Sequence, residues 1–385
     1  MITKNFFFLN FQIKKNNKSL RKYLKQIIVS KNEIIKSLTN NYDYSYTKQK
    51  IAKFKKHKDV RIFGMGGSSL GANAIYDFLK NKIMKNFHFL SNLQKRKFST
   101  KKNYLNLIIS KSGNTLETIV NSNIYISKKD QNIIITENKS SYLKDIALKL
   151  KSEIIEHNNF IGGRYSVLSE VGMLPAELMG LNEKKFKQLN NLLKNKYFFN
   201  SIISNVTNIV GLVNKKKSNA VILNYDESLD NFLKWYQQLL AESIGKKAKG
   251  IFPIISTMPK DNHSLMQLYL DGQKSNFYTF FSSADKISPK INNELILESK
   301  NFLINKNLQN ILETQILATQ KVFKKKKIPF RSFFLKTRRE ETLGELFAFF
   351  VVETILIAKA LKINPYDQPA VELIKRETNK ILVNY

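Results

Sequence analysis

Two loops in the first third of the chain carry the residue types that bind a phosphate group. Residues 64–71 read Gly-Met-Gly-Gly-Ser-Ser-Leu-Gly and lie between a strand-like run and a helix-like run. A glycine loop at that junction presents backbone N–H groups and a positive helix end to an anion. It is not a dinucleotide fingerprint, because Ser69 stands where a third glycine is needed, and it lacks the Gly-Lys-Ser/Thr of a P-loop. Taken alone, a tight turn explains this loop about as well as a phosphate site.

The second loop, residues 110–115, reads Ser-Lys-Ser-Gly-Asn-Thr and directly follows another strand-like run. Its hydroxyl groups, on Ser110, Ser112 and Thr115, can each donate a hydrogen bond to a phosphate oxygen. An ordinary helix cap would explain one hydroxyl, but not all of them together with Lys111. Two such loops at the carboxyl ends of strands in one sheet predict an anion-binding crevice.

An arginine and a glutamate further along the chain could carry out a proton transfer. Arg164 follows Gly162 and Gly163, which free the backbone to hold the guanidinium where it could face a developing oxyanion. Glu242 stands one helical turn after Gln238 near the end of a predicted helix, and it could serve as a general base. The competing interpretations are a surface arginine in a flexible loop and a solvated glutamate.

His263 and Lys375 are weaker candidates for a chemical role. His263 lies in the loop Asp-Asn-His-Ser after a turn that contains proline, and a histidine on a loop is more often incidental than catalytic. Lys375 shares a face with Val371 on the last predicted helix, which follows the segment Tyr-Asp-Gln at 366–368. A lysine there could be exposed and idle.

The elements that must position these residues alternate between strands and helices. Short apolar runs read as strands at 60–63, 104–109, 133–136, 153–156, 220–223, 250–256 and 276–281. Helical stretches between them provide the crossover connections that a parallel sheet requires. We therefore predict an α/β protein with two doubly wound parallel sheets, each in a three-layer αβα sandwich.

The predicted organisation has an arm, two domains and a helical end. A helical N-terminal arm covers residues 1–58, a first domain covers 59–213, and a second covers 214–385 with the C-terminal helices. Within the second domain, a capping box at 342–345 opens a mostly apolar helix, which should be buried between domains or in a dimer interface. A last helix should begin at Pro369.

The composition excludes several classes of function. The chain has no cysteine, so a disulfide framework, a thiolate metal site and a cysteine nucleophile are excluded together. Its 4 histidines are far apart, so we predict no metal site. The net charge of +34 comes from scattered lysines, which is typical of a solvated surface, and we expect no nucleic-acid partner. No uncharged run is long enough to cross a bilayer, so we expect a cytoplasmic protein without membrane contact.

Taken together and in this order, these segments resemble the glucose-6-phosphate isomerase family of sugar isomerase (SIS) domain proteins. The similarity spans nearly the whole chain from about residue 59. It is most specific at Gly162-Gly163-Arg164-Tyr165-Ser166 and at Asp367-Gln368 followed by Val371-Glu372 and Lys375. The resemblance implies two SIS-type domains and an aldose–ketose isomerase that works through a cis-enediolate intermediate, without metal or organic cofactor.

The resemblance also implies roles for the candidate residues. Glu242 would carry a proton between C2 and C1 of the sugar, and Arg164 would stabilise the enediolate charge. The substrate phosphate would be bound through side chains or backbone of Gly67, Ser68, Ser110, Lys111, Ser112 and Thr115.

Four further assignments follow from the same resemblance. His263 and Lys375 would assist opening of the sugar ring, whereas Gln238 and Gln368 would orient hydroxyls and phosphate. The family is typically homodimeric, with the histidine segment of one subunit completing the site of the other, so the apolar helix that begins at Thr342 should lie near that contact.

Two alternatives remain open at this point. The family often has a threonine-rich loop where this chain has Ser112-Gly113-Asn114, and the Ser-Gly-Asn-Thr run resembles the related bifunctional phosphoglucose/phosphomannose isomerases. The contexts of Lys111, His263 and Gln368 favour the glucose-specific branch. A non-catalytic SIS sensor of sugar phosphates would need a DNA-binding appendage, and residues 1–58 show no helix-turn-helix pattern.

Overall fold

The computed structural model describes residues 3–11, 16–99, 103–127, 129–284 and 287–385. Its strands are β1 (Phe6–Leu9), β2 (Asp59–Phe63), β3 (Asn86–Leu90), β4 (Leu105–Ile109), β5 (Gln131–Thr136), β6 (Glu153–Glu156), β7 (Asn219–Asn224), β8 (Phe252–Thr257), β9 (Asn276–Ser283) and β10 (Phe330–Leu335). Its helices are α1 (Lys18–Val29), α2 (Glu33–Ser37), α3 (Lys48–Ala52), α4 (Leu70–Phe78), α5 (Leu116–Tyr125), α6 (Tyr142–Lys149), α7 (Glu170–Leu178), α8 (Leu189–Lys194), α9 (Lys196–Asn214), α10 (Asp230–Ile244), α11 (Met266–Asp271), α12 (Leu308–Lys325), α13 (Glu340–Leu361) and α14 (Val371–Val383).

The first sheet is parallel throughout and has the strand order β3-β2-β4-β5-β6. Its central strand β4 is buried at every residue, because helices cover both faces of such a sheet. The chain runs from β2 outward to β3 and then crosses to β4 on the other side of β2. The strand order therefore reverses between β2 and β4, which is where an open parallel sheet forms a ligand-binding crevice at its carboxyl edge.

The second sheet has the order β1-β10-β9-β7-β8. The strands β10, β9, β7 and β8 pair in parallel, whereas β1 pairs antiparallel with β10 and places Phe6 opposite Leu335. The predicted α/β class with two mostly parallel sheets is confirmed. The prediction of a purely helical N-terminal arm is wrong at Phe6–Leu9, because this segment of paired phenylalanines adds an edge strand to the second sheet.

The apolar helix α13 lies in the middle of the molecule and is buried along almost its whole length. Its Phe347 ring meets Trp235 of α10 with ring centroids 4.7 Å apart. Its Phe349 ring meets Phe198 of α9 at 6.3 Å and Phe8 of β1 at 5.5 Å. These partners belong to the same chain, so the apolar character of α13 is explained by burial inside one subunit. The burial of α13 therefore does not support the prediction that this helix lies near a subunit contact, which stays a prediction.

A buried ion pair joins β10 to α13 behind the second sheet. Arg331 and Glu353 have 1% and 0% of their side-chain surface exposed and are hydrogen-bonded to each other. Arg331 also donates to Thr279 at 3.0 Å and to Asn205 at 3.0 Å. The hydroxyl of Tyr236 on α10 donates to Glu353 at 2.8 Å. Each charge is therefore matched by buried partners from the surrounding elements.

A buried lysine holds the N-terminal helices against the first sheet's helices. The Lys187 ammonium donates to the Ser37 carbonyl at 2.6 Å and also to the Leu168 carbonyl. It lies over the rings of Tyr42 and Tyr44, 5.0 Å and 4.9 Å from their centroids. Burial lowers the pKa of Lys187 to about 7, against the raising effect of nearby carboxylates.

Helix α14 lies at the surface and has no buried residue. Its apolar side chains face solvent in this single chain, including Ile374, 73% exposed, and Leu373, 57% exposed. No helix in the described part of the chain is both long enough and apolar enough to cross a membrane.

Candidate active site

The glycine turn after β2 packs closely against α10 and the segment that carries Arg164. Gly66 has φ of +52°, and a Cβ atom there would lie 2.6 Å from Gln238 Nε2 on α10. A Cβ atom on Gly67 would lie 2.1 Å from the carbonyl oxygen of Gly163. Side chains at these positions would push the turn away from its neighbours, so glycine is required by close approach as well as by conformation. Ser68 completes the 3-10 turn Gly66–Ser68 and is half-buried.

The serine-rich loop after β4 lies beside that turn, because β2 and β4 are neighbours in the sheet. The hydroxyls of Ser110 and Thr115 are 2.8 Å apart. Ser112 is exposed and its hydroxyl accepts the Asn114 N–H at 3.2 Å. Gly113 has φ of +68°, which suits glycine at this sharp bend. The carboxyl edge of the first sheet thus carries the predicted hydroxyl groups at the point where the strand order reverses.

Lys111 is oriented by protein partners on its own side of the crevice. Its ammonium donates to the Asn159 carbonyl at 2.8 Å and lies 3.4 Å from Glu137. Desolvation by burial opposes ionisation of Glu137, but hydrogen bonds and charges from Lys139 and Lys111 lower its pKa overall. Lys111 therefore links the serine-rich loop to the segment that leads into Gly163.

Arg164 is the buried cation of the site. It lies in the 3-10 turn Gly163–Leu168, and 1% of its side chain is exposed. Its Nη1 donates to Glu242 Oε2 at 3.3 Å and to the side-chain oxygen of Gln368. Its Nη2 donates to the carbonyl oxygens of Pro365 at 2.7 Å and Asp367 at 3.1 Å. Apart from Glu242, these acceptors are neutral, so the charge of Arg164 is balanced by a carboxylate that is itself partly exposed.

Helix α10 carries Glu242 near its end and is held in place by its buried face. The predicted buried stripe is confirmed, since Phe232, Leu233, Tyr236, Leu239 and Leu240 are all buried. Packing this stripe against α13 and the second sheet fixes the helix, at about 1.5–3 kcal/mol for each large side chain.

The opposite side of α10 faces the glycine turn and the arginine. Gln238 donates to Glu242 Oε1 at 2.9 Å. The side-chain oxygen of Gln238 is buried and has no hydrogen-bond partner in the described residues. Glu242 is 30% exposed, so it is held by Gln238 and Arg164 yet open on one side. A carboxylate held this way can exchange a proton with a molecule in the crevice.

A segment before α14 closes over Arg164. Lys246 donates to the Asp367 carbonyl at 2.6 Å and to its carboxylate at 2.7 Å, and also to the Asn364 carbonyl. The hydrogen bond from Lys246 lowers the pKa of Asp367. The backbone that leads into Gln368 is therefore held beside Arg164 by the contacts of Lys246 and Arg164 with residues 364–367.

His263 and Lys375 are not brought to this cluster within the chain. His263 lies exposed on the 3-10 turn Lys260–His263 after β8. Lys375 is exposed on α14 and pairs with Glu372 at 2.6 Å. The structure brings together Gly67, Arg164, Gln238, Glu242 and Gln368. The serine-rich loop lies beside them, at the end of the neighbouring strand β4.

Sequence reasoning did not single out three groups that contact Arg164 or its neighbours. Ser243 accepts from Arg164 Nε at 2.9 Å, and Tyr165 contacts Ser243 at 2.8 Å. Trp235 donates from its ring nitrogen to the Arg164 carbonyl at 3.2 Å. The only signal available in the sequence was adjacency, since Ser243 follows Glu242 and Tyr165 follows Arg164.

Solved structures define the fold class. A hypothetical protein from Thermus thermophilus superposes with a TM-score of 0.81 at 21% identity, covering 95% of this chain and 94% of that one. A glucose-6-phosphate isomerase from Chlamydia trachomatis superposes with a TM-score of 0.72 at 17% identity, covering 99% of this chain and 89% of that one. The two-sheet architecture is thus shared with both of these structures.

Sequence comparison narrows this class to one family. The family model described as phosphoglucose isomerase matches residues 25–385. A glucose-6-phosphate isomerase of Methanocaldococcus jannaschii is 33% identical over 358 residues, which cover 86% of this chain and 86% of that protein. One of Acholeplasma laidlawii is 31% identical over 380 residues, covering 88% of each. The chain belongs to the phosphoglucose isomerase family.

Proposed function

We propose that this chain interconverts glucose 6-phosphate and fructose 6-phosphate, an aldose–ketose isomerisation. The observation that carries the proposal is the contact between the Glu242 carboxylate and the Arg164 guanidinium, 3.3 Å apart beside the glycine turn after β2. Family membership and the relatives named glucose-6-phosphate isomerase support the same reaction.

In the proposed mechanism, Glu242 removes the proton from C2 of the open-chain aldose and returns it to C1. The C2–H electron pair forms a C1–C2 double bond while the C1 carbonyl pair moves onto O1, which gives a cis-enediolate with its negative charge on oxygen. The O2 proton passes to O1, and the C2 carbonyl then forms as Glu242 protonates C1. Arg164 Nη1 faces that charge in a buried setting. A positioned base contributes about 10²–10⁴-fold to the rate, and one preorganised donor contributes about 10²–10³-fold.

The phosphate would be bound away from the reacting carbons by the first sheet. Ser110, Ser112 and Thr115 supply hydroxyls, and the turn containing Gly67 and Ser68 supplies backbone N–H groups. Binding energy gained there orients the carbonyl end toward Glu242. Gln238 is hydrogen-bonded to Glu242, and Gln368 is hydrogen-bonded to Arg164. These positions suit both glutamines to orienting the sugar hydroxyls.

Replacing Glu242 by Gln tests the mechanism. We expect the isomerisation rate from fructose 6-phosphate to fall at least about 10²-fold, because the amide cannot accept the proton that leaves C1 of the ketose. Protection of the fold by bound fructose 6-phosphate against thermal unfolding should remain. The exposed Glu227, replaced by Gln, is the matched control and should keep full activity. Unchanged activity in Glu242→Gln would overturn the mechanism.

We also propose a homodimer in which His263 of one copy and Lys375 take part in ring opening. Exposed apolar side chains support it, on α14 and on the surface segment 287–308, where Leu295 is 79% exposed and Phe302 is 67% exposed. A cytoplasmic location stays a prediction, which cell fractionation would test.

Subunit mixing tests the shared site. His263→Ala and Glu242→Gln, each inactive alone, should recover about a quarter of the unmodified activity when dimers exchange, because half the dimers hold one intact site. Light scattering should give twice the chain mass. A monomer, or no recovery after verified exchange, would contradict the proposal.

The run Ser112-Gly113-Asn114 keeps mannose 6-phosphate open as a second substrate. Parallel assays with fructose 6-phosphate and mannose 6-phosphate, both with a chelator present, separate the branches. Equal turnover would assign the bifunctional branch. Binding without turnover of either sugar would favour a sensor instead.

A further inference from the structure

Three buried side chains and one carbonyl form a continuous hydrogen-bonded chain beside the proposed catalytic pair. Arg164 Nε lies 2.9 Å from Ser243 Oγ, Ser243 Oγ lies 2.8 Å from Tyr165 Oη, and Tyr165 Oη lies 3.1 Å from the Pro365 carbonyl oxygen. Ser243 and Tyr165 are both 0% exposed. None of these groups faces solvent, so each must find its partner within this chain of bonds.

The direction of every hydrogen in this chain is determined by its two ends. The Pro365 carbonyl can only accept, so the Tyr165 hydroxyl donates to it. The Tyr165 oxygen then accepts the Ser243 hydroxyl hydrogen. The Ser243 oxygen accepts from Arg164 Nε, which can only donate. All donors and acceptors are matched in a single arrangement, and aligned bonds of this kind strengthen one another in a buried setting.

This arrangement fixes the plane of the guanidinium. Nε is bound to Ser243, and Nη2 is bound to the carbonyls of Pro365 and Asp367. Nη1 is the end that reaches Glu242 and Gln368. Because a guanidinium is planar, binding at Nε and Nη2 sets where Nη1 points.

Ser243 and Glu242 are adjacent residues in the last turn of α10. The base and the group that fixes the cation are therefore carried by one rigid element. Their separation cannot change without deforming the helix. Resting on the proposed function, we infer that Ser243 and Tyr165 are positioning residues that aim Arg164 Nη1 at the enediolate charge.

Ser243→Ala tests the inference. We expect kcat with fructose 6-phosphate to fall about tenfold, since one buried hydrogen bond controls the direction of the donor. KM should change less than about threefold, because the phosphate loops are untouched. Tyr165→Phe should lower kcat in the same sense. Ser122→Ala removes a buried hydroxyl that donates to the Thr118 carbonyl within α5, and it should leave kcat unchanged.

A double-mutant cycle separates positioning from general damage. Lysine has no Nε–H fork, so in an Arg164→Lys background Ser243→Ala should lower kcat no further. An undiminished tenfold effect in that background would overturn the inference. So would a loss of thermal stability in Ser243→Ala with unchanged kcat, because that pattern shows a purely structural serine.

A binding measurement covers the case in which Arg164→Lys does not fold. An aldonate phosphate with a carboxylate at the enediolate position should bind Ser243→Ala about tenfold more weakly, whereas inorganic phosphate should bind equally well. Equal weakening of both ligands would overturn the inference. An unmodified chain that isomerises no sugar phosphate would refute the proposed function, while the binding contrast would still report on Ser243.

Discussion

Arg164 and Arg331 are both almost completely buried, and their surroundings differ in one respect. Arg331 is paired with Glu353, and 1% and 0% of the two side chains are exposed. Arg164 is equally buried at 1%, but its carboxylate neighbour Glu242 is 30% exposed and its other acceptors are neutral oxygens.

The difference separates a structural charge from one available for chemistry. Desolvation by burial disfavours the charged form of Arg331, yet the Glu353 carboxylate raises its pKa overall. That pair is closed on itself, with no charge left for a ligand. Arg164 is oriented mainly by neutral acceptors, and the carboxylate that it contacts, Glu242, is open to solvent on one side. A buried cation therefore indicates a candidate site when its partners are neutral and its carboxylate neighbour is open to solvent.

The largest expected effect comes from replacing each arginine by lysine. Arg164→Lys should lower kcat by about 10²–10³-fold, because lysine cannot reproduce the planar fork that faces the enediolate. Arg331→Lys should leave kcat of the folded enzyme within about twofold, since its partners Thr279, Asn205 and Glu353 are not among the proposed site residues. Steady-state kinetics on folded fractions measure both. Equal losses of kcat would erase the distinction between the two arginines.

A second test addresses stability at the closed pair. Glu353→Gln should lower the free energy of unfolding by about 3–5 kcal/mol, because Arg331 is left as an uncompensated buried charge. The double replacement Arg331→Met with Glu353→Leu should recover most of that loss. Urea unfolding measures both, with kcat unchanged where the chain folds. A double variant as unstable as the single one would show that the charge itself is not the cause.

A third test concerns the backbone that carries Arg164. Gly67→Ala would place a Cβ atom 2.1 Å from the Gly163 carbonyl oxygen and 2.6 Å from the backbone nitrogen of Arg164. We expect a loss of about 1–3 kcal/mol in stability and a lowered kcat, because the turn that precedes Arg164 must move. Gly162→Ala is the matched control, since its nearest neighbour would be 3.9 Å away. Steady-state kinetics and thermal unfolding are measured for both variants. Losses confined to Gly67→Ala indicate strain at the close contact, whereas equal losses in Gly162→Ala would indicate a general effect of replacing glycine by alanine.

The last test uses another buried cation, Lys187, whose hydrogen bonds among the described residues go to the carbonyl oxygens of Ser37 and Leu168. Burial lowers its pKa to about 7 from the ordinary 10.5. Between those pH values the unfolded chain binds a proton that the folded chain does not, so unfolding free energy rises with pH, by about 1 kcal/mol per unit. Lys187→Met should flatten that slope.

Urea unfolding at several pH values between 7 and 10.5 measures the slope in each variant. The exposed Lys56, replaced by Met, serves as the control and should keep the slope of the unmodified chain. Identical slopes in Lys187→Met and the unmodified chain would show that Lys187 keeps its proton on folding.

Local pattern was sufficient for much of the fold but not for its edges. The inner strands β4 and β5 are short runs of isoleucine and leucine, so their type is evident from sequence. β1 reads Phe-Phe-Phe-Leu, in which buried and exposed residues alternate without any change in hydrophobicity. β10 contains Arg331, whose partner Glu353 lies on another element. The pairing of an edge strand and the burial of a charged residue depend on partners distant in sequence. The local spacing of apolar residues therefore does not reveal them.

The site divides in a similar way. Hydroxyl groups on Ser110 and Thr115 were predictable from strand–loop–helix pattern alone, and the structure places them 2.8 Å apart. The contact between Arg164 and Glu242 was implied only by family resemblance, because the residues are distant in sequence. The roles of His263 and Lys375 stay predictions, since contacts that a second copy would make lie outside one chain.

The pairing of β1 with β10 has a consequence for how the protein is made. Residue 6 lies opposite residue 335, so an early-synthesised strand waits for a partner that leaves the ribosome near the end of translation. At usual elongation rates that wait is on the order of tens of seconds. Phe6 and Phe8 are buried in the folded molecule, but the residues that cover them are not yet synthesised during that interval. Nascent chains should therefore depend on a shielding chaperone until the second sheet closes.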